Sequence, residues 1–273
     1  MKKLASVYLS KVIKILFLLT TILLFLWILG RVFIADYFSV NTYSMYPAIK
    51  PNSTIVVNKL IFGARIYKKI DFESEELNSF RVKGLRKLRV NDIIVFNYPF
   101  DENITRIRFK INHVYVKRVA GIPGDTVSIA SGFYKNSNYS EIIGDSDNQS
   151  IFSSKWKDSL SHQKNDVTFP YNKEIYDWNG INFGPFYVPK KGDRIELNLD
   201  NYILYKMIIE CETGENFNID NNDLYLGKNA IIEYVFSKNY YFVAGDNVSN
   251  SLDSRHFGLI PEEFIIGVVK WIH

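Results

Sequence analysis

The stretch Tyr115-Val116-Lys117-Arg118-Val119-Ala120-Gly121-Ile122-Pro123-Gly124-Asp125 reads as a β-strand running into a turn. Tyrosine and β-branched side chains suit a pleated, half-buried surface, and the Gly-Ile-Pro-Gly-Asp that follows is turn chemistry. In a strand, Val116 and Arg118 share one face while Tyr115, Lys117 and Val119 share the other. The pattern therefore sets a lysine on an apolar face. Two outcomes are open for it. Either the ammonium snorkels to water, or burial disfavours the charge and leaves an amine able to act as a base.

Runs of the same kind lie on both sides, at 54–60, 92–98, 113–119, 126–130, 194–199, 231–236, 240–244 and 264–272. Turn signals such as Pro189-Lys190-Lys191-Gly192-Asp193 separate them. The aromatic share of 15% leans the same way. The expected fold is mainly β and antiparallel, with short soluble helices only around 201–210 and 221–226. The Ser/Asn-rich tract 131–154 reads as an exposed loop. The basic segment 81–89 (RVKGLRKLR) is either a lipid-touching patch or a solvated hairpin.

The net charge is +4, and its basic residues are local, at Lys2, Lys3, Lys11, Lys14 and 81–89. No nucleic-acid reader motif accompanies them, so nucleic acid is not an expected partner. A single cysteine, Cys211, excludes an internal disulfide framework and any CxxC pattern. His113, His162, His256 and His273 lack metal-ligand spacing, so neither a metal nor a cofactor is expected.

Upstream, 15–30 reads ILFLLTTILLFLWILG without a charge. With its flanks it approaches the ~20 residues that cross a hydrocarbon core. We expect a transmembrane anchor at 12–34. A cleaved signal peptide is the competing reading, but bulky Arg31-Val32-Phe33-Ile34 stands where small residues would mark a cleavage site. Four lysines precede the span, while Arg31 and Asp36 nearly cancel after it. The positive-inside rule then puts 1–11 in the cytoplasm and the body outside, as a single-pass protein.

Just beyond the span comes Asn41-Thr42-Tyr43-Ser44-Met45-Tyr46-Pro47. Even fully extended, the tether from Arg31 to Ser44 reaches at most ~45 Å. Serine needs a base to act as a nucleophile. No histidine has a triad-like context, whereas Ser–Lys dyads are a known alternative, which makes Lys117 the candidate. A third string runs from Gly245-Asp246-Asn247 through Asn250-Ser251 and Asp253-Ser254-Arg255 to Gly258. It can set the Ser251 hydroxyl against a lysine and brace it with an Asp253–Arg255 pair, or it can be a turn satisfying its own backbone.

In this order, behind an anchor, the three strings resemble the bacterial type I signal peptidases, also called leader peptidases. Ser44-Met45-Tyr46-Pro47 is similar to the family's nucleophile box, and Asn91-Asp92-Ile93-Ile94-Val95-Phe96 with Pro99 to the following strand. The lysine string and the closing string are similar to the other two boxes. The resemblance implies a membrane-bound serine endopeptidase that removes signal peptides from exported precursors through an acyl-enzyme. It implies Ser44 as nucleophile, Lys117 as general base, and Thr42 as an oxyanion donor beside the Ser44 N–H. Ser251 would hydrogen-bond the lysine, with Asp253 and Arg255 supporting that loop.

The expected organisation is an antiparallel β-sheet catalytic domain in two parts, 35–125 and 240–273, with a β-rich subdomain, 126–239, inserted between them. Partners would be precursor proteins and the bilayer, with the enzyme a monomer. Two departures stand out. Asn91-Asp92 replaces the usual Gly-Asp, an expected change to a turn only, and Val248-Ser249 stands where Arg-Asp is common. A soluble Ser–Lys self-cleaving regulator would carry a DNA-binding module instead of an anchor. A catalytically dead tethered binding protein would have no need of Ser44, Lys117 and Ser251.

Overall fold

The structure, a computed structural model, describes residues 2–69, 71–101, 103–158 and 167–272. His162 and His273 therefore lie outside the described residues. In chain order the strands are β1 (Ala35–Val40), β2 (Ser53–Asn58), β3 (Arg65–Tyr67), β4 (Ser79–Arg81), β5 (Ile93–Asn97) and β6 (Val114–Gly121). Then come β7 (Thr126–Ala130), β8 (Phe133–Asn136), β9 (Phe183–Tyr187), β10 (Arg194–Glu196), β11 (Phe217–Asp220) and β12 (Asp223–Leu226). The last are β13 (Asn229–Ala230), β14 (Glu233–Val235), β15 (Tyr240–Ala244), β16 (Ile260–Pro261) and β17 (Ile265–Ile272). Helix α1 (Lys2–Phe33) leads the chain, and α2 (Ser146–Asp158) falls between β8 and β9.

The mainly β, antiparallel expectation holds. One seven-stranded sheet runs β1-β2-β17-β5-β6-β15-β16, with every neighbouring pair antiparallel. Alternation along its strands builds two cores. Val116, Val95, Ile55 and Val57 pack with Met45 and Ile49 on one side. Val119, Ile94, Phe96, Val243 and Val268 pack on the other. Each such fully buried side chain contributes about 1.5–3 kcal/mol of transfer free energy. A one-residue slip of β6 would exchange the two sets, so its register is strongly specified.

The chain between β6 and β15 forms a third apolar cluster, in which Val127, Phe183, Phe186 and Phe236 meet Phe242 and Ala244 of β15. Here three sequence expectations meet the structure differently. The helix expected around 201–210 is present as Tyr202–Thr213, ended by Gly214 in the left-handed conformation at φ 73°. The helix expected at 221–226 is instead a hairpin: β11 and β12 pair around Asn221 and Asn222, both with positive φ (49° and 69°). A tight two-residue hairpin turn needs that backbone, and asparagine tolerates it. The tract 131–154 is not one loop: it holds β8, an irregular connection at 137–145 and most of α2. Asp145 caps the helix by accepting the Asn148 N–H at 2.7 Å. The buried Gln149 amide accepts Tyr134 N–H and donates to the carbonyls of Ile143 and Asp145.

Helix α1 carries the apolar span: the most apolar 18-residue window within Tyr8–Phe33 has a mean hydropathy of 2.7, and the rest of the chain buries none of that window. In the basic segment, Arg86 binds Asp92 through two 2.7 Å hydrogen bonds. Arg81 donates to the carbonyls of Gly63, Glu262 and Ile265. Two of its arginines thus hold the fold together, while Lys83, Lys87 and Arg89 stay exposed.

Candidate active site

Ser44 sits in the turn that follows β1. Met45 and Ile49 are fully buried and pin this turn to the sheet, helped by Tyr46 N–H to Tyr43 O at 3.0 Å and Ile49 N–H to Met45 O at 2.8 Å. The Ser44 carbonyl accepts the Asn247 N–H at 3.1 Å, which stitches the turn to the closing loop.

Lys117 lies in the middle of β6, 4% exposed. Its ammonium donates to Ser44 Oγ at 2.8 Å and to the Val116 carbonyl at 3.1 Å, and it stands 5.5 Å from the centroid of the Tyr115 ring. Among the described residues no carboxylate forms an ion pair with it. Burial pulls its pKa down to about 8; Asp253 and Asp246 oppose that shift, and Arg255 adds to it. Desolvation is thus the dominant cause, as for any cation taken out of water without a direct counter-ion. The Thr42 hydroxyl lies 3.5 Å from Ser44 Oγ.

The closing loop is organised by Asp253. Its carboxylate takes Arg255 Nε and Nη2, each at 2.9 Å, accepts the Gly245 N–H at 3.0 Å, and caps the one-turn helix Ser254–Phe257. Burial alone would raise the Asp253 pKa, but the Arg255 guanidinium and His256 hold it far below the carboxylate range. Ser251 is placed differently from the sequence expectation. Its hydroxyl is buried and has no hydrogen-bond partner among the described residues, Lys117 included, so the expected bond to the lysine is not made. The hydroxyl instead lies over the bare Cα of Gly245, where an added Cβ would meet Ser251 Oγ at 2.1 Å and the Ser44 carbonyl at 2.6 Å. Only glycine lets these three segments converge.

Sequence reasoning missed two further groups. Arg118 grips Asp246 bidentately at 2.7 and 2.5 Å, on the opposite face of β6 from the lysine. Alternation had already set Arg118 on that face, and an acid in the closing string was the available partner. Asn148, at the start of α2, donates to the carbonyls of Tyr46 (2.9 Å) and Asp246 (3.0 Å), bridging the nucleophile turn to the closing loop. No local signal marks it, because its partners are backbone atoms about a hundred residues away. Asn91 does more than alter a turn. At φ 72° its amide donates to Tyr139 Oη and the Ile142 carbonyl and accepts the Gly144 N–H. Val248, one of the two departures noted in the closing string, is buried in an apolar cluster.

These groups open onto a groove of about 330 Å³ whose lining includes Val40, Thr42, Ser44, Val116, Lys117 and Leu252. Its walls are the outer edge of β1 and the first half of β6, which β15 leaves unpaired. The arrangement can transfer a proton between a hydroxyl and an amine beside an extended, strand-lined cleft.

The sequence matches the family described as "Signal peptidase, peptidase S26" over residues 11–273. A protein named "Signal peptidase I" from Buchnera aphidicola subsp. Schizaphis graminum is 31% identical over 242 residues, covering 87% of this chain and 67% of its own length. The protein of that name from Buchnera aphidicola subsp. Baizongia pistaciae is 26% identical over 259 residues, covering 89% and 71%. The one from Aquifex aeolicus is 25% identical over 251 residues, covering 89% and 79%.

Proposed function

The chain belongs to the signal peptidases of family S26, and from that membership we infer a serine endopeptidase that removes signal peptides from exported precursors, with Ser44 as nucleophile and Lys117 as general base. The observation that carries the residue assignment is the 2.8 Å contact between Lys117 Nζ and Ser44 Oγ, made by a buried lysine that pairs with no carboxylate among the described residues.

The precursor lies extended in the groove, adding main-chain hydrogen bonds to the free edges of β1 and β6. Lys117, once neutral, accepts the Ser44 proton as Oγ attacks the scissile carbonyl. The Ser44 N–H and the Thr42 hydroxyl stabilise the resulting oxyanion. The lysine passes its proton to the leaving amine as the C–N bond breaks. Water then attacks the acyl-enzyme, giving a proton to the same lysine, which hands it to Ser44 Oγ as the ester C–O bond breaks; the acyl half leaves as an acid that ionises in water. Asp253, Arg255 and the Ser251 backbone fix the loop that closes over the lysine.

Helix α1 fits a membrane anchor, and the family is membrane-bound. The charge bias across it supports an orientation with 1–11 in the cytoplasm and the catalytic body outside. In this reading the enzyme is a monomer and its precursors are still held in the bilayer. The test is cleavage of a model precursor by the wild type and by Ser44→Ala, with the cut mapped. Cleavage by the wild type alone supports the assignment; equal cleavage by both removes Ser44 from it.

A further inference from the structure

The connection between α1 and the sheet is a built joint. The helix runs to Phe33, and after Ile34 the chain is already in β1. That single linking residue is held on both sides. Ile34 N–H donates back to the Gly30 carbonyl at 2.9 Å, and the Ile34 carbonyl accepts the Lys59 N–H, just past β2, at 2.8 Å. The Lys59 ammonium donates to the Arg31 carbonyl at 2.8 Å and to Asp36 Oδ2 at 3.1 Å. Asp36 Oδ1 accepts Arg31 Nε at 3.0 Å and the Tyr37 N–H at 2.9 Å.

Each contact has a physical role. The last turn of a helix leaves carbonyls without partners and carries partial negative charge, so a lysine placed there satisfies one and complements the other. The side chains of Lys59 and Asp36 are only 13% and 18% exposed, which removes them from the class of weak surface pairs. Burial would raise the Asp36 pKa, but the Arg31 hydrogen bond and the Lys59 charge outweigh it and hold the carboxyl ionised. Arg31 in turn stacks 5.4 Å over the Trp27 ring, one helical turn back. A flexible linker would let the body swing over the membrane; this connection does not.

β1 carries the helix direction to the chemistry. Asp36 stands near its start and Val40 ends it. Val40 shares an apolar cluster with Met45, the residue after the nucleophile. None of Arg31, Asp36 and Lys59 lines the groove.

We propose that Arg31, Asp36 and Lys59 form a rigid joint that sets the height of Ser44 above the bilayer, and so select which bond of a membrane-held precursor is cut. The proposal rests on the peptidase reading of Ser44 and Lys117. The three are positioning residues: they act on a substrate whose own depth is fixed by the membrane, and are silent toward one that diffuses freely.

The test uses full-length protein in phosphatidylcholine–phosphatidylglycerol vesicles. Two substrates share one cleavage sequence: a short water-soluble peptide, and a precursor inserted in the same vesicles by its own apolar segment. The variants are Asp36→Asn, Lys59→Gln and a Gly-Ser-Gly-Ser insertion between Ile34 and Ala35. The expected result is kcat/KM on the soluble peptide within about twofold of wild type, which also reports that the body is folded. On the embedded precursor the rate falls about tenfold or more, and mass spectrometry finds cuts spread to neighbouring bonds. Equal losses on both substrates, or an embedded precursor cut at the original bond at the wild-type rate by all three variants, would overturn the joint. A wild type that cleaves neither substrate would overturn the peptidase reading beneath it.

Discussion

Two corners of the molecule bury cations close together and treat them in opposite ways. In one, Arg255 is 1% exposed and bound through two nitrogens to Asp253, while Arg118 next to the lysine grips Asp246 in the same bidentate fashion. In the other, Lys117 is 4% exposed and meets a hydroxyl, a carbonyl and the Tyr115 ring, with no carboxylate paired to it among the described residues. The paired arginines are locked in charge and act as struts, since guanidinium stays protonated and its fork matches a carboxylate. The unpaired lysine is poised. Its pKa falls because water is removed and no direct counter-ion replaces it.

The largest expected consequence of breaking this contrast is Lys117→Met, which takes away the poised amine. Turnover of a soluble peptide drops by at least about 10⁴-fold, as for loss of the base in other covalent hydrolases. Stability moves the other way. The folded lysine has a pKa depressed to about 8 from its ordinary 10.5. Between those values the unfolded chain holds a proton that the folded one has lost, so wild-type stability rises with pH across that window. At pH 7 the wild type buries a charge, and the methionine variant gains on the order of 1–2 kcal/mol in chemical denaturation, a gain that vanishes above about pH 10.

Asp253→Ala attacks the opposite corner. It strands the Arg255 charge in the interior and costs about 3–5 kcal/mol of stability, read as a lowered denaturation midpoint. Thr42→Val keeps the shape of the oxyanion region without its hydroxyl. It lowers kcat by the equivalent of about 2.7–4 kcal/mol with little change in KM. Asn148→Ala removes two side-chain hydrogen bonds between the nucleophile turn and the closing loop. Its loss is about 0.5–1.5 kcal/mol, seen in kcat on a soluble peptide more than in KM.

How much of this was legible in the sequence follows from the range of the interactions involved. Five strands of the seven-stranded sheet, β2, β5, β6, β15 and β17, were legible as short runs of β-branched and aromatic residues bounded by turn signals, while β1 and β16 were not read from the sequence. Ser44 and Lys117 were named from short strings and lie within hydrogen-bond distance. The region from 126 to 239 was less legible. Polar composition in 131–154 suggested a loop, because nothing local says that the Gln149 amide will satisfy a buried backbone. The asparagines at 221–222 did carry a readable sign, the hairpin turn, which the helical reading passed over. Chain length alone bounded the reach of the tether from Arg31 to Ser44 at ~45 Å and said nothing of its path. The structure makes it a continuous helix, one linking residue, a strand and a turn, with Lys59 reaching back from the end of β2 to close the joint.

The most direct test of the central claim is the pH dependence of kcat/KM on a water-soluble peptide, compared between wild type and Asp246→Asn. The account predicts that wild-type kcat/KM rises with pH through an apparent pKa of about 8, the protonated lysine being inactive. Asp246 holds that value up, so removing its charge while Arg118 remains moves the rise to lower pH. A rise through a histidine-like value near 6.5 that Asp246→Asn leaves in place would contradict Lys117 as the base.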